Sequence, residues 1–425
     1  MLMAAPVGPK PEQRDRSSAG PTDRARSVGA VVVGAVVALL NLPAVASVGL
    51  RTDVGAHLRF AAATSLTGKE WGPYSLFEQS TIIVRSLIPF DGLSRLFPAL
   101  GHRATIWDVS GMIVMLGFAV ILSQVVYRRF VPTVAPVVDR AAPAVAGGLT
   151  VAALVAAPVT VFTWSRHQLL DGYISITSYE NPSVNVLRPI ALILFWVLMD
   201  RLFGRSRGTV VAMTAALSLL ALHAKPSYTV CLLPALILLA AWERWRGRRL
   251  DWRLWGLGFV LPSLVGLGYQ AVVSRGQGSI GFAPFDIIRG VLEARGMSPW
   301  VFVPLLMLSM LFPLTVAVMC WSDARRTASW TTAWITFGIG ILLFCTFTVT
   351  ERRDYGDLIW GPQVALFIVF VESIVLVAPR VLAPGPDGRR RLTAGSAVVV
   401  AALALHVASG AMLWYQEVVH PAAWW

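Results

Sequence analysis

An aspartate and a histidine four residues apart, Asp53 and His57, follow the first long apolar run of the chain, in the stretch LRTDVGAHLRFA. If residues 53–66 form a helix, these two side chains share one face of it. A carboxylate beside an imidazole can take a proton from a substrate hydroxyl, which is general-base chemistry. The structural alternative is that Asp53 caps the helix and that a solvated face follows.

A second group, in LHAKPSY, contains His223 and Lys225, the latter one of only three lysines in the chain. Lys225 lies between two apolar runs with no polar linker, and Pro226 suits the first turn of the helix that follows. His223, Lys225 and the free amides of that helix start could bind an anion such as a lipid phosphate. The alternative is a lysine that extends from a tight turn to the membrane interface.

A third group, in TERRDYGDLIWG, places two arginines among acids: Glu351, Arg352, Arg353 and Asp357. Arginine suits bidentate binding of phosphate, and the acids could orient it or contact hydroxyl groups. A surface loop whose charges neutralise one another is the alternative.

A fourth group, in SYENPSVNVLRP, contains Glu180, Asn181 and Asn185, with Arg188 at the beginning of an apolar run. The first three side chains could hydrogen-bond a sugar. A turn built on Asn181 and Pro182 explains the pattern nearly as well.

The composition shows where these groups must be held. The chain is 56% hydrophobic and only 14% charged, with a mean hydropathy of +0.65, so most of it must face lipid. The net charge of +13 is typical of a membrane protein with basic cytoplasmic loops, and we predict no nucleic-acid partner. The three cysteines lie in apolar runs and indicate neither a disulfide framework nor a metal cluster.

Apolar runs of about 20 residues predict an all-α polytopic membrane protein with about eleven transmembrane helices. The predicted spans are 28–50, 105–126, 141–164, 187–203, 208–222, 227–242, 254–273, 300–321, 329–349, 360–379 and 394–414. Before them, the leader 1–27 is predicted to be disordered and cytoplasmic. Residues 28–425 then form a single transmembrane domain, whose first outer loop, 51–104, carries amphipathic interfacial helices.

The basic residues predict the orientation. The leader, 1–27, and alternate loops hold 22 of the 36 lysines and arginines, which places the N-terminus inside and the C-terminus outside. These loops are 128–140, 201–207, 244–253, 325–326 and 380–391. Five of the six histidines then lie at the outer face: His57, His102, His167, His223 and His420. Chemistry is therefore expected at the outer face of the cell membrane, without access to ATP.

With these groups placed, the chain resembles the GT-C type of polytopic membrane glycosyltransferase. The resemblance covers most of the chain in architecture, and in motif it rests on the stretch around Asp53 and, loosely, on HAKPSY and ERRDYGD. Many members carry adjacent acids or an acid-x-acid pattern, which Asp53 lacks. The need for a divalent metal is therefore left open, and no metal ligand is assigned.

The resemblance implies transfer of a sugar from a polyprenyl-phosphate carrier to an outward-facing glycan, lipid or protein acceptor in the cell envelope. Asp53 would be the general base with His57 as helper. The lipid phosphate would bind His223, Lys225, Arg352 and Arg353, and the substrate would bind Glu180, Asn181, Glu351 and Asp357. If Asp53 is not the base, the loop acids Glu70, Glu78 and Asp91 are the next candidates.

Two other functions fit the composition. A glycan polymerase or O-antigen-type ligase would also use arginine and histidine at the outer face on a lipid-linked donor. A transporter or flippase of a lipid-linked glycan would need ionisable groups at mid-membrane, for which Asp108, Glu372 and His406 are the candidates.

Overall fold

The structure is a computed structural model that describes residues 21–48, 53–67, 75–87, 105–160, 172–177, 179, 181–275, 279–294, 296–350, 357–384 and 393–419. Almost all of these residues are helical. The helices are α1 (Pro21–Val48), α2 (Asp53–Thr67), α3 (Leu76–Leu87), α4 (Ile106–Val138), α5 (Ala142–Val155), α6 (Pro182–Arg201), α7 (Gly208–Ala224), α8 (Ser227–Trp245), α9 (Leu261–Val273), α10 (Asp286–Ala294), α11 (Phe302–Ser309), α12 (Leu311–Met319), α13 (Trp321–Ala324), α14 (Ala328–Thr346), α15 (Trp360–Leu382) and α16 (Ala394–Val419). Two short strands, β1 (Ile280–Phe282) and β2 (Phe347–Val349), pair antiparallel.

Eight described helical stretches are long and apolar enough to cross a membrane. A ninth is added if the bent pair Asp286–Ala294 and Pro299–Ser309, which meet at 105°, forms one crossing. α7 is apolar but shorter than the others. The all-α polytopic class is therefore confirmed, while the number of crossings, predicted as about eleven, stays a prediction.

One of the eight stretches, Ile106–Val155, is 50 residues long, far more than the ~20 residues that a single crossing needs. Along α1, Gly29 lies against Tyr127 of α4 and Pro143 of α5. One turn further on, Val33 lies against Gly147 of α5, and Gly34 against Gln124 of α4. The contacts therefore move back along α4 as they advance along α5, so these two helices run antiparallel and form a hairpin.

Several predicted boundaries are wrong, each for a local reason. The span 141–164 ends as a helix at Val155, because the following chain makes different bonds: Ala157 N–H donates to the carbonyl of His406, and Pro158 has no N–H. The span 300–321 is broken at Met310, between α11 and α12. The predicted leader 1–27 overlaps α1, so its last seven residues are helical.

The span predicted at 187–203 begins earlier, at Pro182. Asn181 has extended backbone and its side chain accepts a hydrogen bond from Val184 N–H, which makes it the N-cap of α6. Pro182 occupies the first helical position, where its missing N–H costs nothing. The predicted Asn181–Pro182 turn is thus a helix start.

The segments that the charge rule assigns to the cytoplasm meet at one end of the bundle, here called the arginine-rich end. Phe203 and Leu250 pair as an isolated β-bridge that joins two of these loops. Arg129 of α4 forms a salt bridge of 3.0 Å with Asp200 of α6. Direct contacts therefore hold the loops and helices of this end together. The side of the membrane on which it lies stays a prediction.

The bundle is centred on α6 and α15, which have 72% of their most apolar windows buried inside the protein. α1 and the Leu254–Val273 stretch lie at the periphery, with 28% and 22% buried. α2 and α3 pack on α4 and on the beginning of α6 at the end opposite the arginines. These two helices position the candidate site.

Candidate functional site

α2 extends from Asp53 to Thr67, which confirms the predicted helix at 53–66. Its apolar side buries Val54, Leu58 and Ala61, and Leu58 fits against Gly111 of α4. Because Asp53 and His57 are one turn apart, they lie together along the helix. Asp53 is exposed and His57 is half-buried.

His57 contacts an acid that the sequence ranked behind Asp53. Its Nδ1 lies against Oε1 of Glu78, in the first turn of α3. Glu78 is only 3% exposed, and its second oxygen, Oε2, has no hydrogen-bond partner within the described chain. The ring of Phe77 stands edge-on to His57 at 6.0 Å. α3 therefore holds the imidazole in place and brings a buried carboxylate to it.

Asp53 is held by the residue that starts α6. The side-chain amide of Asn181 donates from Nδ2 to Oδ2 of Asp53 at 3.2 Å. The oxygen of the same amide accepts the N–H of Val184 at 3.1 Å. Asn181, predicted as a sugar ligand, is 2% exposed and instead links α2 to α6.

The second predicted group joins the same region through α3. Nε2 of His223 lies 3.0 Å from the side-chain oxygen of Gln79, so the imidazole donates and the amide accepts. Nζ of Lys225 lies 4.8 Å from the centre of the Trp360 ring, at the beginning of α15. α8 then begins at Ser227, directly after Pro226, as the proline predicted.

Seven residues at this end of the bundle, in three hydrogen-bonded pairs with Lys225 close to His223 in sequence, are called here the polar cluster. Its members are Asp53, His57, Glu78, Gln79, Asn181, His223 and Lys225. Gln79 and Trp360 had no role in the sequence interpretation. No spacing could reveal them, because Gln79 meets a histidine 144 residues away.

Of the other predicted site residues, Asp357 alone lies within the described ranges. Glu180, Glu351, Arg352 and Arg353 lie outside the described residues. Asp357 begins a 3-10 helix, Asp357–Ile359, that leads directly into α15. The loop acids Glu70 and Asp91 also lie outside the described residues.

Asn185 and Arg188, from the fourth group, lie elsewhere: they line a cavity between α1, α4 and α6. Within the described part of the chain, no three His, Cys, Asp or Glu side chains come close enough together to hold a metal ion.

The polar cluster combines an exposed carboxylate, an imidazole paired with a buried carboxylate, and a lysine at a helix start. The acids and imidazoles can accept protons, and the lysine can bind an anion. No protein-family model matches the chain, no curated protein matches it, and no solved structure matches it. The functional argument therefore rests on the residues of this cluster.

Proposed function

We propose that the protein is a membrane glycosyltransferase, which moves a sugar from a polyprenyl-phosphate carrier to an acceptor at the outer face of the cell membrane. The observation that supports this proposal is the convergence of the first two predicted groups on α3. Glu78 and Gln79, adjacent in α3, contact His57 and His223 respectively. A proton acceptor and an anion-binding cation thus occupy the same end of the bundle.

Asp53 acts as the general base in this proposal. It is exposed, so an acceptor hydroxyl can reach it, and Asn181 orients it through a neutral hydrogen bond. The acceptor oxygen forms a bond to the anomeric carbon of the sugar, and its proton passes to the Asp53 carboxylate. The bond from that carbon to the carrier phosphate breaks, and the phosphate leaves with the electron pair.

Lys225 binds the departing phosphate. The aromatic ring of Trp360 lies 4.8 Å from its ammonium group and holds it at the start of α8. A cation at this position stabilises the charge that develops on the phosphate during transfer. Arg352, Arg353 and His223 assist in phosphate binding, and Glu180, Glu351 and Asp357 bind the sugar or acceptor. The loops at the arginine-rich end are cytoplasmic.

The residues that a transporter would need have other partners. Glu372 of α15 accepts hydrogen bonds from Trp196 and Ser329. His406 of α16 is bonded to the carbonyl of Ala157 and accepts from Phe312 N–H. Asp108 completes a capping box with Thr105. Each has a structural role, which favours an enzyme over a transporter.

Replacing Asp53 by Asn tests the proposal. The amide keeps the size of the side chain but cannot take the proton, so sugar transfer should fall by about 10²- to 10⁴-fold. The thermal midpoint should change little, because Asn is also suited to a helix start. The measurement is transfer from a panel of radiolabelled polyprenyl-phosphate monosaccharides by membranes containing the protein.

Asp108→Asn is the matched control, since Asp108 is also an acid in the first turn of a helix, on the same side of the bundle. It should retain transfer and lose at most about 1 kcal/mol of stability. Full activity in Asp53→Asn would exclude Asp53 as the base. Failure of the wild-type protein to use any donor in the panel would contradict the proposed function.

A further inference from the structure

A second polar site lies inside the bundle, and no member of the polar cluster lines it. It is a cavity of about 40 Å³ between α1, α4, α5 and α6. A site of that volume can hold about three water molecules or a small oxyanion group. Most of its wall is apolar, and its polar residues are Asn41, Thr177, Tyr179, Asn185 and Arg188.

Arg188 is the unusual residue of this cavity. It is 6% exposed, and its Nε and Nη2 donate to no residue in the described ranges. The guanidinium lies 5.4 Å from the centre of the Phe367 ring, which is its aromatic contact. A buried charge is costly unless it is paired and hydrogen-bonded. A guanidinium with two buried nitrogens that have no acceptor within the described chain is therefore suited to a ligand that carries negative charge.

The neighbours of Arg188 are also suited to an anion. Asn185 precedes it by three residues, so the two side chains share one face of α6. Burial raises the pKa of the Tyr179 phenol, while Arg188 lowers it and Glu417 raises it, with a net increase. The phenol therefore keeps its proton and can donate a hydrogen bond. The hydroxyl of Thr177 is already committed to the carbonyl of Ala156, at 2.8 Å.

The depth of the cavity indicates the source of the anion. Arg188 follows Pro182 by six residues, which places it about 9 Å along α6 from the helix start. Its facing wall includes Val37 and Val45 of α1, the peripheral helix that exposes Val36 and Leu39 on its other side. A single helix thus separates the guanidinium from the surroundings of the bundle. An amphiphile, with a charged head and an apolar chain, matches these walls.

We propose that Arg188, Asn185 and Tyr179 bind the phosphate oxyanion of a membrane lipid whose chain lies against α1 and α4. The planar guanidinium presents Nε and Nη2 side by side, which is the arrangement that binds two phosphate oxygens at once. This site is separate from the one proposed at Lys225 and does not depend on glycosyl transfer.

The test compares the thermal unfolding of the full chain in detergent with four additions: none, inorganic phosphate, a short-chain phosphatidic acid, and the diacylglycerol of the same chain length. A ligand that binds only the folded state raises the midpoint, and the rise grows with the logarithm of the ligand concentration above its dissociation constant. Phosphatidic acid should raise the midpoint of the wild-type protein, and diacylglycerol should not. Arg188→Met should bind phosphatidic acid about 10- to 100-fold more weakly, because charge-assisted hydrogen bonds are lost.

Without any addition, Arg188→Met should be at least as stable as the wild type, since Met fills the space and removes an unpaired buried charge. This separates a binding residue from a structural one. A less stable Arg188→Met that responds fully to phosphatidic acid would overturn the proposal. So would an equal response to diacylglycerol, or no response of the wild type to either phosphate compound.

Two further variants locate the response. Arg129→Met, at the arginine-rich end, and Lys225→Ala, in the polar cluster, should both keep the shift in midpoint. Loss of the shift in Lys225→Ala but not in Arg188→Met would refute the site at Arg188 and place the phosphate at the polar cluster. A response to inorganic phosphate alone, abolished in Arg188→Met, would support the anion site and identify its source as a free ion.

Discussion

The acidic side chains at the two ends of the bundle have different kinds of partner. At the arginine-rich end, acids meet arginines: Arg380 lies 2.6 Å from Asp323, and Arg248 lies 3.2 Å from the buried Glu243. At the other end, the acids of the polar cluster meet neutral or weakly basic groups, as Asp53 meets Asn181. An ion pair with arginine suits a structural role, whereas a neutral or weakly basic partner leaves the carboxylate available to a ligand. The difference supports the proposal that the chemistry takes place at the end that carries the polar cluster, while the other end holds the fold.

Asp251 shows that an acid at the arginine-rich end is also satisfied by backbone N–H groups. It is 5% exposed, and its carboxylate accepts the backbone N–H groups of Ser206, Arg253 and Leu254 at 2.5, 3.2 and 3.2 Å. Asp251 therefore caps the helical stretch that contains Leu254. It also links the loop between α6 and α7, which contains Ser206, to that stretch. Burial raises the pKa of this carboxyl, but the hydrogen bonds lower it by a larger amount, so the net shift of the pKa is downward.

After Asp53, the largest effect should come from Glu78, whose carboxylate is buried beside His57. Glu78→Gln removes the carboxylate that contacts and orients the imidazole of His57. Transfer should fall by about 10- to 100-fold, less than for a base that acts directly. The thermal midpoint should stay the same or rise, because a buried carboxylate oxygen without a hydrogen-bond partner is replaced by a neutral group.

The measurement for Glu78→Gln is the rate of transfer against pH, compared with Gln79→Glu as a control that adds charge one residue away. A changed pH profile in Glu78→Gln would support a role through His57. Normal transfer with a lower midpoint would make Glu78 a structural residue and weaken the contrast between the two ends.

Asp251→Ala should have the opposite effect to Glu78→Gln: the protein should lose stability, and the fraction that stays folded should retain sugar transfer. Removal of the carboxylate leaves three backbone N–H groups without their acceptor, at a cost of about 2 kcal/mol. The thermal midpoint in detergent measures this loss, and Asp251→Asn should be milder because Asn also caps helices.

The pH dependence of Asp251 follows from its lowered pKa. Its contribution is fully present above the ordinary range of aspartate, near pH 4, and is lost as the pH falls through the lower folded-state pKa. The wild type should therefore lose stability more steeply than Asp251→Asn at acidic pH. Parallel curves for the two proteins would show that the carboxylate is not linked to folding.

The smallest effect is expected at Arg129, whose side chain is 28% exposed and whose partner Asp200 is 49% exposed. Solvent screens such a pair, so Arg129→Met should cost less than about 1 kcal/mol and leave transfer unchanged. Its guanidinium also lies 5.2 Å from the Trp196 ring, and this contact is lost with it. A loss of transfer in this variant would show that the two ends are not independent.

Helix positions were largely readable from the sequence because they depend on local patterns. The apolar spacing after Asp53 gave α2 within one residue, and Pro226 marked the start of α8. The break at Met310 and the end of α5 at Val155 were not readable. Just after α5, the backbone N–H of Ala157 donates to the carbonyl of His406 in α16, and not to a carbonyl of its own helix. Such tertiary bonds override an apolar pattern.

The candidate site was readable only in part. Residue types indicated Asp53, His57, His223 and Lys225, and the structure brings the helices that carry them together. Their partners depend on contacts between distant parts of the chain, as with Gln79 and His223, and no periodicity encodes these. Arg188 looked like an arginine at the start of a span, and only the packing of α6 shows that it is buried.

Asn181 gives the polar cluster a property that its individual bonds do not describe. One end of a single amide fixes the first turn of α6, and the other end fixes the first residue of α2. Asn181 thus holds the Asp53 carboxylate in a fixed position relative to α6, one of the two most buried helices of the bundle, and not only relative to α2. If Asp53 is the base, as proposed, the acceptor meets a preorganised carboxylate, and little conformational entropy of that side chain is left to lose on binding.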